Sequence, residues 1–439
     1  MSQLLNRREF IGRTATAGAI SAGLYVNPVT AGESKSPNEK LNIAVIGVAH
    51  KGEHNINQLT GQNIVALCDV DSSYLGRLSS RFPKARTYRD YRKLIEAEQH
   101  RIDAVVISTA DHNHAPATVR ALSAGKHVYC EKPLTHTVHE ARLVASLANK
   151  HKLATQMGTQ IHASNNYRRV VEVIQSAAIG PVTRVYNWCN KNWSGGRFET
   201  WNKPAPANLD WDLWLGPAKK RPYSPHIHPA NWRRFWAYGS GTFGDMAAHV
   251  MDLPFWALKL RHPTRVSARG PKVDPVGTPR WCEAEYDFPA RGDLPAVKFH
   301  WSDGGRHADI VKRTRDRRNR PLGQWGLGVL FVGKKGMLAA DYGHYELFPR
   351  EKFSGFTPPK QTIPNSIGHW NEWVRACKTG SPTTCNFDYS GALTETILLG
   401  VVAFRCGKPL VWDAANLEAT NTTAAERFVT KHHRAGWDV

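Results

Sequence analysis

Residues 41–52, Leu-Asn-Ile-Ala-Val-Ile-Gly-Val-Ala-His-Lys-Gly, decide the fold of this chain. Their first part is a short apolar run that ends at Gly47, which is typical of a buried parallel strand. The turn after it keeps the first and last glycines of the G-x-G-x-x-G dinucleotide fingerprint, Gly47 and Gly52, and has Ala49 in place of the middle one. The turn alone is a weak signal, because an ordinary strand-to-helix connection has a similar sequence.

Further apolar runs repeat this pattern up to about residue 160. Residues 63–68, 104–108 and 127–130 are typical of buried strands. Helical patterns lie between them and after them, such as the apolar face within residues 143–148. Strands that alternate with helices predict βαβ units and a parallel sheet.

A carboxylate strengthens the dinucleotide interpretation of the turn. Asp69 comes 22 residues after Gly47, at the end of the second predicted strand. A carboxylate at this point binds the ribose 2′-hydroxyl of NAD and repels the 2′-phosphate of NADP. The turn and the carboxylate together predict a dinucleotide site that prefers NAD.

Two later segments contain candidate catalytic groups. Lys132 lies in Glu131-Lys132-Pro133 after the fourth strand, where ligands of open α/β sheets bind, and a cis peptide before the proline would fix its direction. Asp245 and His249 are one helical turn apart, so the carboxylate could orient the imidazole and raise its basicity. A solvated lysine and a buried, hydrogen-bonded histidine are the alternative interpretations.

The sequence beyond residue 165 has a different character. Tryptophans crowd residues 188–256, and their flat apolar faces have two interpretations: platforms for sugar rings, or, for most of them, parts of the hydrophobic core. Strand-like runs separated by Gly/Pro turns predict a mostly antiparallel sheet in an α+β domain. These runs are residues 182–188, 283–288, 296–301 and 328–332, and helices are expected at 367–378 and 391–405.

The N-terminal residues resemble an export signal. The adjacent Arg7 and Arg8 precede a small-residue apolar stretch, residues 15–26, and a small-x-small cleavage site that ends at Ala31. A short basic amphipathic helix is the alternative. We expect a periplasmic protein exported through the twin-arginine pathway. Its expected parts are a signal peptide (1–31), a linker (32–40), a Rossmann NAD-binding domain (41–165) and a substrate-binding and oligomerisation domain (166–439).

Composition limits the classes of partner. The 439 residues include 58 Lys+Arg against 37 Asp+Glu, a net charge of +21 that favours anionic partners. No nucleic-acid-binding motif is recognisable, and no later apolar run reaches the ~18 residues of a membrane span, so neither nucleic acid nor stable membrane insertion is expected. The seven cysteines form no CxxC pair, and no metal site is indicated. The basic stretch 312–320 has three interpretations: a solvated loop, a clamp for acidic sugars or an oligomer contact.

In combination, these motifs closely resemble the Gfo/Idh/MocA oxidoreductases, the relatives of glucose–fructose oxidoreductase and inositol dehydrogenase. The resemblance covers essentially the whole chain after the signal. It rests on residues 47–52, Asp69, Ser-Thr-Ala-Asp-His-Asn-His at 108–114, 131–133 and 244–249. Residues 209–217, 231–233 and 393–400 are similar to an exported bacterial subgroup.

The resemblance implies an α/β protein with an N-terminal Rossmann domain and a C-terminal α+β domain that has a large, open, mostly antiparallel sheet. It implies a catalytic group of Lys132, His249 and Asp245, and a homodimer or homotetramer. The cofactor-binding residues that it implies are Gly47, Ala49, Lys51, Gly52, Asp69, Thr109, His114 and Glu131. The residues that it places near the substrate are Gln160, Tyr238, Trp232 and Arg233.

The expected reaction is hydride transfer from a secondary alcohol carbon of a sugar, sugar derivative or polyol, neutral or anionic, to NAD. His249 would take the hydroxyl proton, and Lys132 would stabilise the developing alkoxide. Some similar proteins are NAD-dependent glycosidases, which oxidise a sugar hydroxyl transiently, eliminate the glycosidic bond and re-reduce the product. The same residues would serve both reactions. A non-catalytic NAD-binding sugar sensor is a remote third interpretation.

Overall fold

The computed structural model describes residues 39–199 and 201–438. The predicted signal peptide, residues 1–31, and most of the predicted linker lie outside the described residues. The described residues from Leu41 onward form one compact unit that contains two sheets. The domain boundary between residues 165 and 166 stays a prediction.

The first sheet has six parallel strands in the order β3-β2-β1-β4-β5-β6. The strands β1–β6 are Asn42–Ile46, Asn63–Cys68, Arg86–Tyr88, Ala104–Ile107, His127–Cys130 and Thr155–Met157. The helices α1–α5 are Lys51–Gln58, Ser72–Arg81, Tyr91–Glu98, His114–Ser123 and Val138–His151. The strand order reverses at the β1–β4 pair, the point where ligands bind in open parallel sheets. The predicted parallel sheet is confirmed.

The second sheet has nine strands in the order β13-β12-β11-β7-β10-β9-β8-β14-β15. Strands β7 and β10 pair in parallel, and the other described pairs are antiparallel, so the predicted mostly antiparallel sheet is confirmed. The strands β7–β15 are Val182–Cys189, Arg265–Arg269, Glu283–Phe288, Val297–Asp303, Leu327–Gly333, Met337–Ala340, Tyr345–Phe348, Leu410–Asp413 and Glu418–Ala419. The helices α6–α13 are Asn165–Gln175, Trp211–Leu215, Gly241–Val250, Asp252–Ala257, Asp309–Arg313, His369–Thr379, Phe387–Cys406 and Glu426–Val429.

Helix α12 runs through the core of the unit. It is apolar on every side and buried almost throughout, as a core helix must be. Among the described residues it is also the helix that is long and apolar enough to cross a membrane. In its most apolar stretch of 18 residues, however, 89% is buried inside the protein. Its buried Glu395 accepts hydrogen bonds of 2.8–3.1 Å from the guanidinium of Arg142 on α5. This ion pair joins the helices of the first sheet to α12.

A cap segment, residues 190–199 and 201–240, connects β7 to α8. Part of it is hydrogen-bonded to the end of β2: the amide of Ser72 donates to the carbonyl of Asn208 at 2.8 Å, and the amide of Asp210 donates to the carbonyl of Val70 at 3.0 Å. Aromatic side chains of the cap segment pack into a cluster that includes Trp214 and Trp232. The cap segment therefore brings tryptophans to the carboxyl ends of the first sheet.

Candidate functional site

A cleft of about 710 Å³ lies where the carboxyl ends of β1, β2, β4 and β5 face the cap segment and helix α8. Most of the predicted site residues line it, although they are far apart in the sequence. Those that line the cleft are Gly47, Ala49, Lys51, Asp69, Thr109, His114, Glu131, Lys132, Gln160, Trp232, Arg233, Asp245 and His249. Gly52 and Tyr238 are not part of the lining.

The glycine turn is shaped by close backbone approaches. Gly47 has a φ of +81°, and a Cβ there would lie 2.7 Å from the carbonyl oxygen of Ser108. A Cβ on Gly52 would lie 1.9 Å from the carbonyl oxygen of Gly47, so Gly52 packs against the turn instead of facing the cleft. Ala49 lines the cleft and accepts a 2.9 Å hydrogen bond from the amide of Gly52. The missing middle glycine therefore adds a methyl group to the lining.

Asp69 lies at the end of β2, as predicted, and its carboxylate is anchored to the backbone. One oxygen accepts from the amide of Val48 at 2.9 Å and the other accepts from the amide of Asp71 at 3.0 Å. Burial raises the pKa of this carboxyl, and the backbone hydrogen bonds oppose the shift. Each carboxylate oxygen can accept more than one hydrogen bond, so Asp69 can still bind ribose hydroxyls.

Glu131 belongs to a network on the same side of the cleft. Its Oε1 accepts from Nδ2 of Asn55 at 3.0 Å and lies 3.8 Å from Nζ of Lys51. A Cβ on Gly158 would lie 2.6 Å from its carboxyl group, so glycine at this position leaves room for Glu131. Burial lowers the pKa of Lys51, while Glu131 favours its charged form. Asn55, Gly158 and this pairing were not predicted from the sequence.

His114 connects two loops that contribute residues to the cleft lining, the loop after β4 and the loop after β5. Its ring nitrogens lie 2.7 Å from the carbonyl oxygen of Pro133 and 3.0 Å from that of Thr109. Burial lowers the pKa of this imidazole to about 4. The Lys132–Pro133 peptide is cis, as expected. His114 thus ties the loop after β4 to the segment that carries Lys132.

Asp245 has different partners from those the sequence predicts. Its Oδ1 accepts from Nζ of Lys132 and, at 2.8 Å, from Nε of Arg233. Burial opposes ionisation of Asp245, but the two cations outweigh it and hold the pKa of the carboxyl well below its ordinary value. No hydrogen bond joins Asp245 to His249 among the described residues, so the carboxylate does not orient the imidazole by direct contact. Two cations from other segments outcompete the helical neighbour for the carboxylate.

His249 faces the cleft as a neutral imidazole. Its Nδ1 is buried without a hydrogen-bond partner among the described residues. Burial, and then the nearby Lys132, lower the pKa of the imidazole to about 3, and these two effects outweigh the predicted rise that the charge of Asp245 contributes. A neutral imidazole still accepts a proton from a bound hydroxyl. The positive charge of Lys132 and the negative charge of Asp245 both lie near this imidazole.

The predicted substrate residues separate into two groups. Gln160, Trp232 and Arg233 line the cleft, and the guanidinium of Arg233 stacks 4.1 Å from the ring of Trp232. Tyr238 lies behind the lining, 1% exposed, and packs on Trp214 with a ring distance of 4.9 Å. The roles of all four stay predictions.

Several lining residues were not identified from the sequence. Lys191 and Trp193 follow β7, His228 lies in the cap segment, and Tyr342 follows β12. These residues are in loops without a motif, and the concentration of tryptophans was the one available signal. The basic stretch 312–320 contributes nothing to the cleft lining, and its Arg320 pairs with Asp316 at 2.8 Å.

Comparisons with known proteins agree with this arrangement. Residues 41–159 match the sequence model of the GFO_IDH_MocA oxidoreductase family, described as its NAD-binding Rossmann fold, and residues 168–291 match that of its C-terminal alpha/beta domain. Together the two matches cover more than half of the chain.

Two curated relatives have different activities. The chain is 29% identical to an inositol 2-dehydrogenase of Salmonella typhimurium over 155 residues, which are 33% of this chain and 45% of that protein. It is 24% identical to an alpha-N-acetylgalactosaminidase of Shewanella oneidensis over 253 residues, which are 49% of this chain and 55% of that protein. The chain thus spans about half the length of the curated relatives it matches.

A solved structure shows the same fold. The WlbA dehydrogenase of Bordetella pertussis, in complex with NADH and UDP-GlcNAcA, matches with a TM-score of 0.59 and 13% identity. The match covers 85% of this chain and 99% of that one.

Proposed function

This chain belongs to the Gfo/Idh/MocA oxidoreductase family, and we propose that it is an NAD-dependent enzyme that oxidises a secondary hydroxyl of a sugar, sugar derivative or polyol. The observation that carries the proposal is that Lys132 and a neutral His249 face one cleft together with the glycine turn. That cleft has room for a cofactor's reactive end and a sugar-sized molecule.

The residues on one side of the cleft fit NAD. The tight turn at Gly47 brings the backbone to the cleft, Asp69 offers its carboxylate to the ribose, and the paired Lys51 and Glu131 also line the cleft. When bound there, NAD supplies the acceptor for the hydride that leaves the substrate carbon. Asp69 disfavours a 2′-phosphate by charge repulsion, so we expect NAD over NADP.

Lys132 is arranged as a hydrogen-bond donor to the substrate oxygen. Two of its three N–H groups are directed to the carbonyl oxygen and Oδ1 of Asp245, which leaves one N–H for a ligand. Its side chain is 13% exposed, so a hydrogen bond to the substrate forms in a largely water-free setting. The ammonium stabilises the negative charge that develops on the hydroxyl oxygen as its proton leaves.

His249 is arranged as the proton acceptor. It stays neutral at physiological pH because burial and Lys132 disfavour its charged form. The hydroxyl proton passes to the imidazole, and the nearby Asp245 carboxylate favours the resulting positive charge. Asp245 therefore acts on both groups, by direct pairing with Lys132 and through its field at His249.

A glycosidase is a second candidate function. The match to the alpha-N-acetylgalactosaminidase extends over 253 residues, a longer stretch than the 155 residues matched by the inositol dehydrogenase. The same proton acceptor and the same ammonium would serve a transient oxidation followed by elimination. The two functions differ in whether reducing equivalents leave the enzyme.

The test is an incubation of the purified protein with NAD and panels of polyols, sugars and aryl glycosides. Formation of NADH in proportion to substrate supports the dehydrogenase, and aglycone release with only catalytic NAD supports the glycosidase. Neither product across the panels, from a protein that binds NAD, would contradict both. Lys132→Met should lower kcat by about 10²–10³-fold, whereas the exposed helical Lys150→Met serves as the matched control and should leave it unchanged.

Export is also proposed, on the basis of the twin arginines at 7 and 8. The full chain should reach the periplasm of a bacterial host with an intact twin-arginine pathway. Replacement of both arginines by lysine should retain it in the cytoplasm, as measured by cell fractionation. Periplasmic recovery of that variant would contradict the proposal.

Assembly into a homodimer or homotetramer is the remaining proposal about the whole protein. Its support is the family resemblance, which associates the open sheet with oligomerisation. Light scattering coupled to size exclusion should give a mass of two or four times 49.0 kDa for a protein of these 439 residues. A monomer mass would contradict it.

A further inference from the structure

The substrate side of the cleft carries more positive than negative charge. We define it as the lining formed by Lys132, Lys191, Trp193, Arg233, Asp245 and His249. It contains three cationic side chains and, among the described residues, one carboxylate, while His249 is neutral. Glu131, on the cofactor side, is engaged by Lys51 and Asn55. A net positive charge in a cleft attracts a ligand of opposite charge.

Arg233 presents an unoccupied hydrogen-bonding edge. Its Nε donates a hydrogen bond to Asp245 at 2.8 Å, and its planar guanidinium stacks on the ring of Trp232, which fixes its orientation. The two terminal nitrogens have no acceptor in the described part of the chain, and the side chain is 30% exposed. A guanidinium fixed in this way offers parallel N–H groups that match the geometry of a carboxylate or sulfate.

Lys191 is a second cation of this lining and, unlike Arg233, it forms no ion pair with a carboxylate of the described residues. It lies at the exposed rim of the cleft, and no acidic side chain of residues 39–199 or 201–438 forms an ion pair with it. Its Nζ is 5.3 Å from the ring centre of Trp193, and its charge acts on His249. The indole N–H of Trp193 is buried and has no hydrogen-bond partner among the described residues. The ammonium of Lys191 and the indole N–H of Trp193 are therefore two hydrogen-bond donors without an acceptor among the described residues.

Asp111 neutralises little of this excess below neutral pH. It lies behind the lining, 1% exposed, and its nearest charged neighbours are Arg233, Asp245 and Lys132. Burial raises the pKa of its carboxyl to about 7, which keeps much of it protonated. Lys132 and Arg233 share the one carboxylate of Asp245, so one positive charge from this pair and that of Lys191 are available to a ligand.

We propose that the substrate is an acidic sugar, whose carboxylate or sulfate group is bound by the free edge of Arg233 and by Lys191. The proposal rests on the proposed function, because it names the substrate class of that same site. The indole N–H of Trp193 would donate to a polar atom of the same ligand. This assigns Lys191 and Trp193 a role in specificity that no sequence motif indicates.

The test is equilibrium binding to the intact protein in the presence of saturating NAD, measured by calorimetry. The probes are methyl β-D-glucuronide, methyl β-D-glucoside and glucose 6-sulfate, which share a ring and differ in charge. We expect at least one acidic probe to bind about tenfold or more tightly than the glucoside, with a preference that weakens at high salt. The comparison of the two acidic probes separates a carboxylate from a sulfate site.

Variants identify the residues responsible. Lys191→Gln, at an exposed position, should reduce the preference for the acidic probe about fivefold or more. Arg233→Lys keeps the charge but loses the two parallel N–H groups of the guanidinium, and it should reduce the preference by a similar factor. The matched control is Lys203→Gln, since Lys203 also lies over a tryptophan, 5.8 Å from the ring of Trp201, but outside the cleft lining. It should leave the preference unchanged.

The outcomes separate the two proposals. Equal or weaker binding of both acidic probes, with binding or oxidation of the neutral sugar, overturns the acidic substrate and leaves the proposed function standing. Failure of every sugar to bind or react overturns both. An acidic preference that persists unchanged in Lys191→Gln and Arg233→Lys also overturns the assignment to this site.

Discussion

Replacement of Asp111 by asparagine should change how the stability of the protein depends on pH. Asp111 follows β4, is 1% exposed, and neither carboxylate oxygen has a hydrogen-bond partner among the described residues. Burial raises the pKa of the carboxyl to about 7 in the folded protein. In the unfolded chain we expect the ordinary value of about 3.9.

Whether stability rises or falls with pH depends on which state, folded or unfolded, holds the proton on Asp111. Between pH 4 and pH 7 the folded protein keeps the proton on Asp111 and the unfolded chain releases it, so stability falls as pH rises through this range. Each pH unit in the window is worth about 1.4 kcal/mol. From pH 5 to pH 8 the loss is therefore about 3 kcal/mol, because roughly two units of the window lie above pH 5. Asparagine is neutral throughout and avoids this loss.

The assay is urea unfolding of wild type and Asp111→Asn at pH 5 and pH 8. If asparagine matches the protonated carboxyl, the variant should be about 1.5 kcal/mol more stable than wild type at pH 5 and about 4 kcal/mol more stable at pH 8. Asp303→Asn is the control, because burial also raises the pKa of Asp303 to about 7. That carboxylate, however, accepts hydrogen bonds from the amide of Cys282 at 2.6 Å and from Nε1 of Trp301 at 3.2 Å. An amide cannot accept both, so this control should be destabilised at pH 5.

The reasoning about Asp111 would be refuted if Asp111→Asn were equally destabilising at both pH values. That result would mean that the carboxylate is ionised and paired with Arg233. The net charge of the substrate side would then be lower by one. The stability measurement thus also reports on the electrostatics of the proposed binding site.

Three further predictions concern the cofactor side and the proton acceptor. Asp69→Asn should lower the preference for NAD over NADP about tenfold or more, measured as the ratio of the two dissociation constants, and an unchanged ratio would contradict the ribose role. Gly158→Ala should displace the carboxyl of Glu131, which a Cβ would approach to 2.6 Å, so NAD binding should weaken and the free energy of unfolding should fall by about 1–3 kcal/mol. The pKa of His249, lowered to about 3, implies that its NMR signals stay those of a neutral ring from pH 5 to pH 8. Loss of those signals in His249→Asn assigns them, and a titration near pH 6.5 would contradict the expectation.

The parallel sheet could be predicted because its central strands are continuous apolar runs. Strands β1, β2, β4 and β5 are buried on both faces, so apolar character alone marks them. The edge strand Arg86–Tyr88 was missed because its residues are exposed or half-buried and it is three residues long. In the second sheet, β12–β15 contain two to four residues each, which is too short for a periodic signal.

The site was predictable where chemistry follows a strand and unpredictable where it depends on tertiary contacts. Gly47, Asp69 and Lys132 each come within two residues of the end of a parallel strand, and the carboxyl ends of such strands share one edge of the sheet. The pairing of Asp245 with Lys132 could not be predicted in this way, because the two residues are 113 positions apart in the sequence. Helical spacing favours His249 as that partner, but two cations at hydrogen-bond distance bind a buried carboxylate more strongly than a neutral ring does.

The change of partner alters the chemistry expected of the site. A carboxylate bound to His249 would have made the imidazole a stronger base and left Lys132 and Arg233 without a counter-charge. With Asp245 shared by the two cations, the ammonium is held in position, the imidazole stays neutral, and one positive charge is left over. Lys191 adds a second. A hydroxyl placed among these groups loses its proton more easily because the positive field stabilises its anion, and the same field favours a substrate that itself carries negative charge.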